Sequence, residues 1–136
     1  MTALHHNETA IAVGDAVLAE MSELAPSLVY AALITDDGFE ITHAPRGGVE
    51  GSRLASMTSS VQALSDAVAR ELAMGDSDYV VIAAKGGHLL QLRVAGHGVI
   101  LAALFDTMEM LGKALSISRR GAEQLAATLP TEDLPS

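Results

Sequence analysis

A run of hydroxyl side chains, Thr58-Ser59-Ser60, is where this sequence could place a nucleophile. A Ser–His–Asp site needs a general base within hydrogen-bond reach of an exposed hydroxyl. Asp66 lies further along the same predicted helix, but the sequence has no G-x-S-x-G elbow. The chain also has no cysteine, which excludes a thiol nucleophile and thiolate metal ligands. We interpret the run as hydroxyls packed at a helix surface, and we predict no catalytic residue.

The histidines are the candidate metal ligands. His88 and His97 fall at opposite ends of one predicted strand. At about 3.3 Å per residue they are tens of ångströms apart, so they cannot share one ion. His43 ends another strand and has no obvious carboxylate partner. His5 and His6 could bind a metal weakly, although a frayed terminus accounts for them. Since a zinc site needs three convergent ligands, we expect no metal site.

A glycine-rich stretch, Gly47-Gly48-Val49-Glu50-Gly51-Ser52, precedes a predicted helix and could offer backbone N–H groups to a phosphate. A P-loop requires a lysine directly after its last glycine, whereas this stretch has no lysine and carries the negative charge of Glu50. We interpret it as a flexible loop, and we expect no nucleotide or other cofactor.

Composition sets the broad class of the protein. The chain has 136 residues, the length of one domain. Hydrophobic residues make up 49% and aromatic residues only 3%, which predicts a core of aliphatic side chains. The formal net charge of −9 repels phosphate backbones and anionic lipid, so we expect no nucleic-acid partner. The apolar stretches are strand-sized and the N-terminus does not resemble a signal peptide, which predicts a cytoplasmic protein without membrane insertion.

The periodicity of apolar residues predicts the helices and the ends of the domain. Helical spacing indicates a helix over residues 8–25 that ends at Pro26. Residues 1–7 are expected to be a flexible N-terminus, and residues 130–136 a flexible acidic tail. A single domain therefore covers residues 8–129.

Short apolar runs separated by turns predict the strands, at residues 28–35, 39–43, 78–84, 88–94 and 99–105. The first two form a hairpin around Asp36-Asp37-Gly38, where Asp is favoured for backbone reasons. Asp106 with Glu109 resembles a capping box and predicts the start of a last helix. The order is αββαβββα, an α+β fold with one five-stranded antiparallel sheet and helices on both faces. The strand after the middle helix is expected at a sheet edge.

The middle helix, from a cap at Ser52 to Gly75, carries two stripes of side chains. At 100° per residue, six apolar residues fall within about 80° of arc and predict a core-facing stripe. They are Leu54, Met57, Val61, Leu64, Val68 and Leu72. Small residues make a second stripe, where an exposed helix would normally carry Lys and Glu. They are Ser56, Ser60, Ala63 and Ala67, and Met74 continues their line.

The strand at residues 78–84 lacks the Lys, Pro or bulge that normally protects a sheet edge. Together with the small-residue stripe, it predicts that another subunit covers this region. The predicted dimer interface consists of Ser56, Ser60, Ala63, Ala67, Met74, Tyr79, Val81 and Ala83. The alternative is a helix that is rich in Ala and Ser only because the whole protein is rich in Ala.

At this level the chain resembles the roadblock/dynein light chain family over residues 8–128. The resemblance rests on the order of elements, on the first strand running into Asp36-Asp37-Gly38, and on the small-residue middle helix. The meander from Gly86-Gly87-His88-Leu89-Leu90-Gln91-Leu92 through Ala102-Ala103-Leu104-Phe105, and Leu111-Gly112 in the last helix, also match. The low aromatic content resembles the bacterial branch, and the implied fold is profilin/roadblock-like.

The resemblance implies a homodimer in which the middle helices pair and the strands after them join edge to edge, making a ten-stranded sheet. It also implies a non-catalytic platform or regulator of a small Ras-like GTPase in signalling, with a histidine-kinase-like protein as a further partner. Arg119 and Arg120, an adjacent basic pair on the last helix, are candidate partner contacts. A favourable position toward a helix C-terminus, or simple solvation, is the other explanation for them.

Two other functional classes stay open. A PAS- or GAF-like small-molecule sensor would need an enclosed apolar cavity with a few convergent polar groups. An enzyme would need a nucleophile–base pair or a metal site, and the sequence predicts neither.

Overall fold

The computed structural model describes residues 3–45 and 51–131. Within these residues the order of elements is the predicted one, preceded by a short 3₁₀ helix at Leu4–His6. The α-helices are α1 (Glu8–Leu24), α2 (Gly51–Glu71) and α3 (Leu111–Thr128). The strands are β1 (Leu28–Thr35), β2 (Glu40–Ala44), β3 (Val80–Ala84), β4 (Gly87–Val94) and β5 (Val99–Phe105).

The five strands form one antiparallel sheet in the order β2-β1-β5-β4-β3. The strand that follows α2, β3, therefore lies at an edge of the sheet, as predicted. It begins at Val80, two residues later than the sequence pattern indicated, so Tyr79 directly precedes it. The other edge is β2, which has five residues. The α+β fold class is confirmed.

The hairpin between β1 and β2 turns where the sequence predicts it. Gly38 has a φ of 93°, a left-handed conformation that favours glycine. The Thr35 hydroxyl donates to the Asp37 carboxylate at 2.6 Å and accepts from the Phe39 N–H at 3.0 Å. Asp37 is thus held within the turn through Thr35, whereas the Asp36 carboxylate accepts a hydrogen bond from Arg93 of β4.

Helices α1 and α3 pack side by side over one face of the sheet and bury the larger core. Leu18, Leu33, Leu101 and Leu125 are fully buried in it. At Gly14 a side chain would begin 2.7 Å from the Leu33 Cδ1 atom, so glycine is what lets α1 lie this close to the sheet.

Helix α2 lies alone on the opposite face, above a smaller cluster. This cluster contains Tyr30, Ala32, Ile34, Ala55 and Ala102. The prediction of helices on both faces is therefore confirmed, with a thin core on the α2 side.

The N-terminal lead-in was expected to be loose, and this is wrong for Leu4–His6. Leu4 is 1% exposed and belongs to the larger core, because the 3₁₀ helix folds back against the sheet. The His5 ring stacks on Phe39, with ring centroids 4.5 Å apart. Asn7 then caps α1, since its side chain accepts a hydrogen bond from the Ala10 N–H at 3.0 Å.

The start of α3 was also predicted wrongly. The helix begins at Leu111, and Met110 at its N-cap makes no side-chain hydrogen bond. The Asp106 carboxylate accepts from the Met108 N–H and so closes a turn before the helix. Glu109 accepts from the hydroxyl of Ser27 at 2.7 Å, a residue far away in the chain.

The glycine-rich loop at residues 47–50, the side chain of the predicted cap Ser52, and the acidic tail from residue 132 onward lie outside the described residues. Within the described ranges, no helix is long and apolar enough to cross a membrane.

Candidate self-association site

The apolar stripe of α2 faces solvent, so its prediction as a core-facing stripe is wrong. The exposed fraction is 54% for Met57, 66% for Leu64, 48% for Val68 and 63% for Leu72. Only the other two members, Leu54 and Val61, are half-buried. A single chain therefore displays most of the apolar side chains that this helix carries.

A different side of α2 packs on the sheet. Its buried residues are Ala55, Thr58, Gln62 and Ala69. The Gln91 side chain of β4 donates to the Thr58 carbonyl at 3.2 Å. At 100° per residue this buried side is centred roughly 110° away from the apolar stripe. Periodicity revealed that a stripe exists, but it carried no information on what covers it.

Ion pairs also fix α2 to the sheet. Arg93 of β4 contacts Asp36 in the β1–β2 turn at 2.5 Å and Asp66 of α2 at 2.7 Å. Gln62 donates to the other oxygen of Asp66 at 3.2 Å. Partial burial acts to lower the pKa of Arg93, but the two carboxylates outweigh it and hold that pKa above its ordinary value. Polar contacts thus add to the thin apolar cluster that holds α2 on this face.

The predicted small-residue stripe is exposed as well, and it adjoins the apolar stripe. Its four helical members are all exposed, and Met74 beyond them is 70% exposed. Together the two stripes span about 180° of the helix circumference. Within this arc the charged residues are Arg53 and Glu71, one near each end of the helix. The hydroxyls of Ser59 and Ser60 both donate to the Ser56 carbonyl, as surface hydroxyls of a helix do.

The edge strand β3 follows α2 in the chain and is joined to it by residues 72–79. It pairs with β4 on one side only, which leaves a row of backbone N–H and C=O groups on the other. Ile82 is 44% exposed and pairs with Leu89, which packs in the cluster under α2. Val81 faces the other core and is half-buried, and Ala83 is exposed.

A groove runs between α2 and the segment that connects it to β3. Its volume is about 590 Å³. Apolar side chains that line it are Val61, Leu64, Val68, Ala69, Met74 and Tyr79. We refer to the exposed residues Met57, Leu64, Val68, Leu72, Met74 and Ile82 as the α2–β3 face.

Residues 74–79, which we call the strap, form one wall of the groove. The chain turns into the strap through left-handed backbone at Ala73, with φ 53°, and at Gly75, with φ 88°. The hydroxyls of Ser77 and Ser65 are hydrogen-bonded at 2.9 Å, which ties the strap to α2.

Arg119 of α3 holds the strap from the opposite side. Its two guanidinium nitrogens donate to the two Asp78 oxygens at 2.9 and 2.7 Å. The guanidinium also lies 5.3 Å from the centre of the Tyr79 ring. The hydrogen bonds from Arg119 lower the pKa of Asp78.

Both arginines predicted as partner contacts are engaged within the chain. Arg120 contacts Glu20 of α1 at 3.3 Å, on an exposed surface. The adjacent basic pair was visible in the sequence, but its acidic partners are distant in the chain and were not. A contact of either arginine with another protein stays a prediction.

His43 has the carboxylate partner that the sequence did not show. Its Nδ1 atom lies 2.9 Å from Glu40, to which the Tyr30 hydroxyl also donates at 3.3 Å. Burial, and then the charge of Glu40, raise the pKa of Tyr30 well above its ordinary value. An irregularity in the β1–β2 register puts Glu40 opposite Ile34 and His43 opposite Ala32, on the same face of the sheet. Strict alternation would have separated them.

The described residues contain no group of three His, Asp or Glu side chains placed to hold a metal ion. The groupings of polar side chains described above are ion pairs and hydrogen bonds that fasten elements together. Among the described residues, the α2–β3 face and the open edge of β3 have no intramolecular partner that these contacts supply.

The fold of this chain is similar to that of several solved structures. No family model and no curated protein sequence matches the chain. Among solved structures, a Roadblock/LC7 domain from Streptomyces avermitilis is 18% identical, with a TM-score of 0.71, over 83% of this chain and 92% of that one. The chain has the roadblock fold, which confirms the resemblance seen in the sequence.

Two structures of MglB are also similar. MglB from Myxococcus xanthus is 17% identical, with a TM-score of 0.80, over 93% of this chain and 98% of that one. An MglB described as having a tetrameric arrangement is 26% identical, with a TM-score of 0.76, over 85% of this chain and 87% of that one. The similarity extends over nearly the whole length of each of these chains.

Proposed function

We propose that this protein is a non-catalytic homodimeric platform that regulates a small Ras-like GTPase in signalling. The observation that carries the proposal is the α2–β3 face, a broad apolar surface beside an open strand edge. On a soluble domain, an exposed apolar surface of this kind marks an interaction site. The GTPase as partner comes from the likeness to the roadblock family, as does a histidine-kinase-like protein as a further partner.

A second copy of the chain is the occupant that fits the face best. An edge strand can pair with the same strand of a second copy about a two-fold axis, which satisfies both rows of backbone groups. We expect the same rotation to bring the apolar surface of one α2 against that of the other. This arrangement requires no third component.

Electrostatics favour the same surface. Each chain has a formal net charge of −9, so two copies repel one another over most of their surfaces. Charged side chains are scarce on this side of α2, where Arg53 and Glu71 lie near its ends. In the strap, Asp76 and Asp78 line the groove, and Asp78 is paired with Arg119. Two copies can therefore approach there at the least electrostatic cost.

Sedimentation equilibrium tests the dimer directly. We expect a mass of about 28 kDa at tens of micromolar, twice the 14.1 kDa of the chain. Leu64→Arg places a charge in the apolar stripe and Ala63→Arg places one in the small-residue stripe, and each should give the monomer mass. Met108→Arg adds the same charge at a side chain that is 85% exposed outside this face, and should stay dimeric. A monomeric wild type would refute the dimer.

The GTPase partner is tested separately, by mixing the dimer with the small GTPases of its own genome in GDP and GTP-analogue states. We expect one of them to bind with an affinity that depends on the nucleotide. Any effect on hydrolysis should come from fixing its switch loops, since the sequence predicts no catalytic residue in this chain. If none binds in either state, and a small molecule from cell extract raises the melting temperature, the sensor class replaces this proposal.

A further inference from the structure

The strap has little apolar packing of its own to hold it in place. Met74 is 70% exposed and Tyr79 is 39% exposed. Gly75 and Ala73 put left-handed backbone at its start. Its conformation is set by polar ties instead, one to α2 through Ser77 and one to α3 through Asp78. The hydrogen bonds between Arg119 and Asp78 hold the strap two residues before β3 begins at Val80.

We propose that Arg119 is a positioning residue for self-association, which holds the strap in the shape that a second copy of the chain needs. This inference rests on the proposed dimer. It assigns to Arg119 an intramolecular role, in place of a direct contact with another protein.

The geometry of the pair supports this role. A guanidinium that donates two parallel hydrogen bonds to one carboxylate fixes the orientation of that carboxylate as well as its distance. The same guanidinium covers the Tyr79 ring, whose residue directly precedes Val80, the first residue of β3. Arg119 therefore determines both the direction in which the chain enters the edge strand and the position of one wall of the groove.

The consequence is that the α3 surface controls the strength of the dimer. Arg119 and Asp78 are 40% and 63% exposed in their side chains, so salt and competing anions reach the pair. Loss of the pair leaves the strap held by its Ser77–Ser65 hydrogen bond, and the dimer must then order the part next to β3 at an entropic cost. Self-association thus depends on a contact that lies on a different helix from the interface.

The test compares two neighbouring arginines on the same helix. Arg119→Gln removes the tie to the strap, whereas Arg120→Gln removes an exposed ion pair to α1 and leaves the strap untouched. We expect Arg119→Gln to raise the dimer dissociation constant about fivefold, because each dimer contains two such pairs of modest strength. Arg120→Gln should change it by less than about twofold. Hydrogen exchange of the strap amides should become faster in Arg119→Gln only.

A charge exchange distinguishes positioning from general destabilisation. The double variant Asp78→Arg with Arg119→Asp restores the pair in the reverse sense and should return the dissociation constant to within about twofold of wild type. Arg119→Lys keeps the charge without the two-pronged geometry and should be intermediate. If Arg119→Gln unfolds, the dimer dissociation constants of Arg119→Lys and Arg120→Lys are compared instead.

The outcomes separate this inference from the proposed function. A dimeric wild type in which Arg119→Gln and Arg120→Gln behave alike overturns the role of Arg119 and leaves the platform intact. Failure of the charge exchange to restore dimerisation also overturns it, because Arg119 then acts through something other than Asp78. A monomeric wild type overturns both.

Discussion

At Gly87, where β4 begins, the backbone has a φ of 146° and lies directly against β5. A Cβ atom at this position would lie 2.1 Å from the carbonyl oxygen of Phe105, which is backbone and cannot rotate away. The neighbouring Gly86 has nothing within 4 Å of the same position. A side chain is therefore excluded at Gly87 but has free space at the adjacent Gly86.

Alanine substitutions at these two positions should differ sharply in stability. We expect Gly87→Ala to lower the free energy of unfolding by about 2 kcal/mol or more, through backbone strain and a steric clash. Gly86→Ala should stay within about 0.5 kcal/mol of wild type. Urea denaturation of both variants, at one protein concentration, measures the difference. Equal midpoints would contradict the assignment of the close approach to Gly87.

At the scale of elements, the sequence predicted the order, the sheet edge and most helix bounds. These follow from local signals: apolar periodicity, a proline after α1, and glycines in the turns. The contacts between elements did not follow. Glu109 resembled half of a capping box, yet its carboxylate is taken by Ser27 in the segment before β1. Ser27 and Glu109 are 82 residues apart in the chain, so the sequence around either residue does not indicate this hydrogen bond.

The orientation of α2 is the largest difference between expectation and structure. Its apolar stripe was assigned to the core because a single chain normally buries such a stripe. The side that packs on the sheet contains two alanines and two polar residues, Thr58 and Gln62. For the candidate site, the sequence predicted that β3 lies at a sheet edge, which is confirmed, and the small-residue stripe of α2 is exposed. That a second subunit covers them stays a prediction. The sequence could not show which side of the helix faces outward.

This orientation predicts how α2 behaves without a partner. In the Leu64→Arg monomer we expect the α2 amides to exchange with solvent about tenfold faster than in the wild-type dimer, since little apolar surface holds the helix. The amides of α1 and α3, which cover the larger core, should be unaffected. Hydrogen exchange with mass spectrometry measures all three helices together. Met108→Arg, as a dimeric control, should match wild type, and an α2 equally protected in the monomer would contradict the prediction.

At the scale of the whole molecule, the charge of −9 becomes −18 in a dimer. A basic or mixed-charge surface on a protein partner would then associate faster, and the more so at low salt. Free nucleotides carry negative charge and meet a field of the same sign. The described residues also provide no cluster for a metal ion.

Calorimetry of the isolated protein with GTP, ATP and zinc should therefore give no binding heat at physiological ionic strength. The purified GTPase partner, titrated with GTP under the same conditions, is the positive control. A one-to-one isotherm tighter than about 10 µM, roughly −7 kcal/mol, would argue against a non-catalytic platform.

The strand at the other edge of the sheet, β2, limits how far assembly can proceed. Joining two copies at β3 leaves β2 at both ends of the combined sheet. That strand is as short as β3, but its register with β1 is irregular, and Pro45 follows it with no N–H to donate. In the proposed dimer, a third copy would meet the irregular edge at β2, whereas the first two pair through the regular edge at β3. If two copies pair at β3, we expect strand pairing to stop at two chains, without growth into a filament through the sheet.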